Sequence, residues 1–248
     1  MDQTAAARIA EDLQALGVRR GGVLLVHSSF RSLGPVPGGI DTLLEGLWRA
    51  LGEQGTLAFP ALSYQYVTRE HPVFDIQSTP CNVGAIPEYF RKLPGTLRSM
   101  HPTHSVSAQG PQAAVLLDGH RLDRTPGGIH SPYARLRDLG GQVLMLGCGL
   151  LPNTSLHAVE EAADAPYLLE PEPVEFTLAD AHGSRTQACY RCHGHFAQHY
   201  DRIRQPLLGH GLAEGPVLQA QCHLLEAPAL WQAALAMLKE DIYCLTRE

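Results

Sequence analysis

The sequence predicts an α/β protein in which a mixed sheet is covered by helices on both faces. Two uninterrupted apolar runs, Val23 to Val26 and Val143 to Leu146, have strand length and read as strands buried on both sides. Segments with apolar residues at helical spacing alternate with them, the pattern of β-α-β units. After Pro166, VEFTLAD and SRTQACY alternate with a period of two about the turn HGS, which adds an antiparallel part. A chain of 248 residues can bury one sizeable core, so a single domain over residues 1–248 is expected.

Thr4 to Leu16 reads as a helix ending at Gly17, a residue free to take the left-handed C-cap conformation. GGVLLVHSSF is the first strand, broken by His27, Ser28 and Ser29; GPVPGG is a rigid loop, and Ile40 to Leu51 is the next helix, with Asp41 or Thr42 near its start. TLAFPALS is another strand. Tyr64 to Pro80 is polar, aromatic and without period, and reads as a long loop or lid, a kind of segment that is more often functional than not. Helices are expected over Gly84 to Leu93, Pro111 to Leu117 and Pro132 to Leu139, and a strand over Ser105 to Gln109. QVLMLG is a strand leading through CGLLPN into a helix from Thr154 to Ala163; VLQAQCHLL is the last strand and Ala229 to Leu238 the last helix. Active sites in such sheets gather in loops beyond the strand ends. The polar loops here are HSSFRSLGPVPGG, the stretch around HPTHS, and CGLLPNTSLHAVEEAAD.

The net charge of -6 argues against a nucleic-acid groove, which needs clustered Lys and Arg. No apolar run approaches the roughly 20 residues of a membrane span. The start, MDQTAAARIAEDLQALG, is an amphipathic helix containing acids rather than a basic leader, so a cytoplasmic location is expected. Six scattered cysteines without a secretory signal point to reduced thiols.

The strongest local signal is NTSLHAVEEAAD. With Thr154 or Asn153 as cap, His157 and Glu160 stand at i and i+3 on one helix face. A carboxylate beside an imidazole suits a general base near neutral pH; a solvated helix face would carry the same two residues. Glu161 and Asp164 either form an acidic rim for an amine or face solvent. In HPTHS, Pro102 keeps His101 and His104 off a regular helix turn. CYRCHGHFAQH offers the zinc-ligand types Cys189, Cys192, His193, His195 and His199, with ordinary thiols and surface histidines as the alternative. Cys148 is a thiol nucleophile or a small core residue. Neither a P-loop nor G-x-S-x-G is present.

Taken in order, LLVHSSFRSLGPVPGG, HPVFD, RSMHPTHSVSAQG, HSPYARLRDLGGQVLMLG and NTSLHAVEEAADAPY resemble the aminoglycoside 3-N-acetyltransferase family, and AQCHLLEAPAL fits its C-terminal strand and helix. The resemblance spans roughly residues 5 to 240 and implies the three-layer α/β/α antibiotic N-acetyltransferase fold. It implies transfer of an acetyl group from acetyl-CoA, the acyl-donor substrate, to an amine of an aminoglycoside, with His157 as general base and Glu160 as its orienting carboxylate. It further implies that the His27, Ser28, Ser29, Phe30, Arg31, Ser32, Leu33, Gly34 and Val36 loop holds CoA, with Arg98, Ser99, Ser105 and Val106 on the other wall. His104 is a second polar group at the reaction centre, and Thr154 is an oxyanion donor. Acceptor specificity is expected from Tyr64 to Pro80, with Tyr64 and Asp75 beside the cationic acceptor, and from Glu161 and Asp164. A homodimer is kept open. Two other readings compete: the same chemistry on a biosynthetic amino sugar or other small amine, and a non-catalytic, zinc-stabilised binding protein.

Overall fold

Two sheets organise the chain, and in the larger one the central strands bury successive side chains on both faces. A computed structural model describes residues 1–246. The larger sheet comprises β1 (Val23–Ser28), β2 (Thr56–Pro60), β4 (Leu97–Arg98), β5 (Val106–Gln109), β6 (Gln142–Leu146), β9 (Leu212–Val217) and β10 (Ala220–Glu226). Their spatial order is β4-β5-β2-β1-β6-β10-β9. β1 runs parallel to both β2 and β6, while β5, β10 and β9 pair antiparallel, so the sheet is mixed.

Residues of the central strands divide strictly between two cores, as a period of two requires. Val23, Leu25, Ala58, Val143, Met145 and Leu225 face one layer, with residues of α4 (Ala113–Leu117), α5 (Pro132–Asp138), α6 (Ser155–Ala162) and α8 (Ala227–Glu240). Leu24, Val26, Leu57, Phe59, Leu144 and Leu146 face the other, with residues of α1 (Gln3–Leu16), α2 (Gly39–Leu51) and α3 (Ala85–Phe90). The result is the expected α/β/α arrangement. Gly17 caps α1 at φ 108°, and Pro132 opens α5 beneath a Ser131 side chain that accepts from the Ala134 amide.

Three expectations need correction. The Tyr64 to Pro80 segment is not only a loop: β3 (Val73–Asp75) lies in it and pairs parallel with β7 (Val174–Ala179), which pairs antiparallel with β8 (Arg185–Tyr190). This small sheet has its own core of Phe74, Val174, Phe176, Leu178 and Tyr190. The last strand starts at Ala220 rather than Val217, because Leu218 adopts φ 53° in the turn that joins β9 to β10. β9 and β4 are edge strands with no sequence signature, the first containing Gly215 and Pro216 and the second only two residues long. α7 (Arg204–Leu207) is a single turn.

Candidate active site

The C-terminal ends of the parallel strands open into a cleft of about 860 Å³, lined by His27 and Ser28 from β1, Thr103 and His104, Thr154 and His157, and the 192–198 segment. His157 projects from α6 into this cleft, its side chain 13% exposed, while Glu160 one turn on is completely buried. The Asn153 side chain, not that of Thr154, accepts the Ser155 amide at 3.1 Å at the start of α6.

The hydrogen bonds beneath His157 fix its tautomer. Tyr167 and Tyr200 both donate to the Glu160 carboxylate, at 2.7 and 2.6 Å. The single Tyr200 hydrogen is thereby committed, so its oxygen must accept from His157 Nδ1, 2.7 Å away. Glu160 Oε2 lies 3.3 Å from the same nitrogen. With Nδ1 protonated, the Nε2 lone pair is left for the cleft, and the Gln198 amide nitrogen stands 3.5 Å from it. Burial and then the Glu160 carboxylate raise the Tyr200 phenol far above its ordinary range, which keeps it a neutral link in this chain. Sequence spacing reveals His157 and Glu160 but not Tyr200, Tyr167 or Gln198. Only the YRCHGHFAQHY texture could have drawn attention to Tyr200, without supplying its partner.

A second imidazole sits against the first. His193 packs with its ring centroid 4.6 Å from His157 and 4.8 Å from His104, and its Nε2 lies 2.7 Å from Glu161 Oε1. The Gly127 amide donates to that carboxyl as well, at 2.6 Å. Glu161 is therefore buried under the 191–200 segment rather than standing on an acidic rim, and burial pushes its carboxyl up to about 7. His104 and His193 are both held well below the ordinary histidine range, by burial first and then by the neighbouring imidazoles, and His27 falls to about 3 for the same reasons. Close approach favours glycine at Gly127: a Cβ there would lie 2.6 Å from Ala158 Cα on α6, so the backbone would have to shift. Gly127→Ala is expected to cost about 2 kcal/mol of stability, read as a lower midpoint in thermal unfolding.

His101 has a structural task. Its Nδ1 accepts the amides of Thr103 and His104, at 3.3 and 3.0 Å, closing the HPTHS turn, and its ring stacks on His120 at 4.7 Å. His104 faces the cleft, with Thr103 Oγ1 2.9 Å from its Nδ1 and the Tyr64 ring stacked at 6.0 Å.

The remaining sequence candidates divide between the cleft and the framework. Ser29, Phe30, Arg31, Ser32, Leu33, Gly34 and Val36 lie beyond the lining residues: Phe30–Leu33 is a 3-10 turn in which Ser29 and Ser32 hydroxyls meet at 2.8 Å, Leu33 is in the core, and Arg31 is exposed. Arg98, Ser99, Ser105 and Val106 are spent inside the protein. Arg98 donates to Ser105 Oγ, Thr79 O and Ala61 O, pinning the β3 segment to the larger sheet, with its guanidinium 4.9 Å from the Phe74 ring centre. Ser99 Oγ accepts the Val106 amide and meets His120 Nδ1. Asp75 closes its own turn by accepting the Gln77 and Ser78 amides, and neither it nor the exposed Asp164 lines the cleft; Glu70 and Glu170 do. Of the cysteine-histidine cluster, Cys189 is exposed on β8 and His193 is taken by Glu161. No three potential ligands converge among the described residues.

Among the described residues, three buried polar atoms of cleft-lining side chains lack a protein partner: His27 Nε2, Ser28 Oγ and His193 Nδ1. They are the groups a ligand would satisfy.

The model of the aminoglycoside 3-N-acetyltransferase family matches residues 25–239. Aminoglycoside N(3)-acetyltransferase IV of Salmonella sp is 36% identical over 238 residues, which cover 95% of this chain and 87% of that protein. Among solved structures, a histidine-to-alanine variant of aminoglycoside acetyltransferase AAC(3)-IVa in complex with a gentamicin superimposes with a TM-score of 0.85 at 33% identity, covering 98% of this chain and 91% of the other. AAC-IIIb in a binary complex with CoASH does so with a TM-score of 0.83 at 28% identity, covering 95% and 96%.

Proposed function

The chain belongs to the aminoglycoside 3-N-acetyltransferase family, and from that premise we propose that it carries an acetyl group from acetyl-CoA to the 3-amino group of an aminoglycoside by direct transfer, with His157 as general base. The observation that carries this reading is the run of hydrogen bonds from His157 Nδ1 through Tyr200 to Glu160, which leaves Nε2 unprotonated at the cleft. An ammonium has no lone pair with which to attack a thioester, so a base must take a proton as the nitrogen engages the carbonyl carbon, an effect typically worth ~10²–10⁴ in rate. Glu160 then stabilises the imidazolium that forms. Backbone amides and the Thr154 hydroxyl at the start of α6 are the candidate donors to the developing oxyanion, each worth roughly 3 kcal/mol when well aimed. His27 and Ser28 would meet the donor from the β1 side.

The thiolate is a good leaving group, so no enzyme-bound acetyl is required. Cys148, the one cysteine near the helix start, lines the cleft, but burial and then nearby Cys222 push its thiol up to about 12, leaving almost no thiolate at neutral pH. Cys148→Ala is expected to keep turnover within about threefold of the parent, and a trapped reaction to show no acetyl on the protein; an acetylated Cys148 would overturn direct transfer. The function itself is tested by thiol release from acetyl-CoA across a panel of acceptors. Release with a gentamicin-type aminoglycoside supports the proposal. Silence there, with turnover on amino-sugar nucleotides, assigns the site to a different amine.

A further inference from the structure

Acetylation of an ammonium removes two protons from one nitrogen, and the cleft holds two carboxyl-backed imidazoles. In the balanced reaction an ammonium and acetyl-CoA give an amide, CoASH and one proton. The first proton must leave to create the lone pair; the second leaves as the C–N bond forms, the C–S bond breaks, and the departing thiolate takes up one of the two. A single imidazole can hold one proton at a time.

Resting on the acetyltransferase reading above, we propose that His193, positioned by Glu161, accepts the first of these protons from the ammonium acceptor, leaving His157 to take the second during attack. Successive residues of α6, Glu160 and Glu161, thus each serve an imidazole of the same cleft. Glu161 Oε1 meets His193 Nε2 at 2.7 Å; with the carboxylate accepting from Nε2–H, Nδ1 is left bare as the proton acceptor. His193 Nδ1 is buried without a protein partner, in a side chain 8% exposed on a residue that lines the cleft. Its ring lies 4.6 Å from that of His157, so both can reach one small nitrogen centre. The Gly127 amide donates to the same Oε1 at 2.6 Å and holds that oxygen in place as an acceptor. When His193 becomes an imidazolium, the carboxylate beside it balances the charge; the proton then passes to solvent through the open cleft.

The groups facing the pair are His157 on α6, His104 and His101 in the HPTHS turn, Arg191 just after β8, and Asp123 in the loop before α5. Burial keeps His101 and His104 neutral, holds His193 well below the ordinary histidine range as well, so that it needs an ionised carboxylate beside it to take a proton, and raises the Glu161 carboxyl to about 7. The pair accepts a proton only when that carboxyl is ionised. Acceptor kcat/KM should therefore rise with pH through about 7 in the parent protein.

The test is the pH profile of Glu161→Gln and, as a second variant, His193→Asn, read by thiol release with acetyl-CoA and a gentamicin-type aminoglycoside. At pH 7, where the acceptor arrives as an ammonium, kcat/KM is expected to fall about 30-fold; at about pH 9.5, where more of it arrives as free amine, the deficit should shrink below about threefold. A merely structural role would lower the rate by the same factor at every pH, and that constant factor in both variants overturns the proposal. Failure of the parent protein to release thiol with any amine contradicts the acetyltransferase reading itself, a different result from a pH-independent defect.

Discussion

His157→Ala is expected to lower turnover at neutral pH by at least about a hundredfold while CoA affinity stays within about twofold of the parent. The split follows from where the ring stands. Its Nδ1 side is consumed by Tyr200 and Glu160, and only its Nε2 edge meets the cleft, so its removal abolishes proton transfer without stripping the β1 wall of His27 and Ser28. A small loss of stability should accompany it, because Tyr200 keeps its bond to Glu160 and loses only a donor. Steady-state thiol release with acetyl-CoA and an aminoglycoside gives kcat, and equilibrium titration with CoA gives the affinity. Unchanged turnover would remove His157 from the mechanism.

Glu160→Gln is nearly isosteric yet should be almost as damaging, with kcat expected to fall about a hundredfold. The carboxylate accepts from two tyrosines and has no hydrogen of its own to donate. An amide presents one oxygen and one NH₂. If the NH₂ faces Tyr200, the phenol becomes acceptor there and donor to His157 Nδ1, which moves the imidazole proton to Nε2. The ring would sit in the same place with its lone pair on the wrong nitrogen. Because the Glu160 side chain is 0% exposed, a mismatched donor cannot be rescued by water, and about 1–3 kcal/mol of stability should be lost as well. Activity, not stability, should dominate the phenotype, which a thermal unfolding midpoint measured beside kcat will separate.

What the sequence made legible were features with a local period. Val23 to Val26 and Val143 to Leu146 announced β1 and β6 because strands covered on both faces need no alternation, and the i, i+3 spacing of His157 and Glu160 survives in α6 as read. Features that depend on distant partners stayed hidden. β3 is three residues long and exists because β7, about a hundred residues on, offers it a parallel ladder. Tyr200 meets His157 across 43 residues, and no rule of spacing connects them. Glu161 read as either an acidic rim for an amine or a solvent-facing acid; the segment after β8 folds over it and supplies His193. The same burial explains Arg98, Ser99 and Ser105, which the family resemblance assigns to the CoA wall but which hold the β2, β3 and β5 region together in the fold.

The mechanism turns on which nitrogen of the His157 ring carries the proton. Nitrogen-15 NMR of the parent protein with labelled histidine, with His157 assigned by its loss in His157→Ala, reads this directly near neutral pH. A ring protonated at Nδ1 and bare at Nε2 is expected, switching toward the opposite tautomer in Glu160→Gln. A parent ring protonated at Nε2 and bare at Nδ1 would contradict the mechanism, since that ring has no lone pair to offer the cleft.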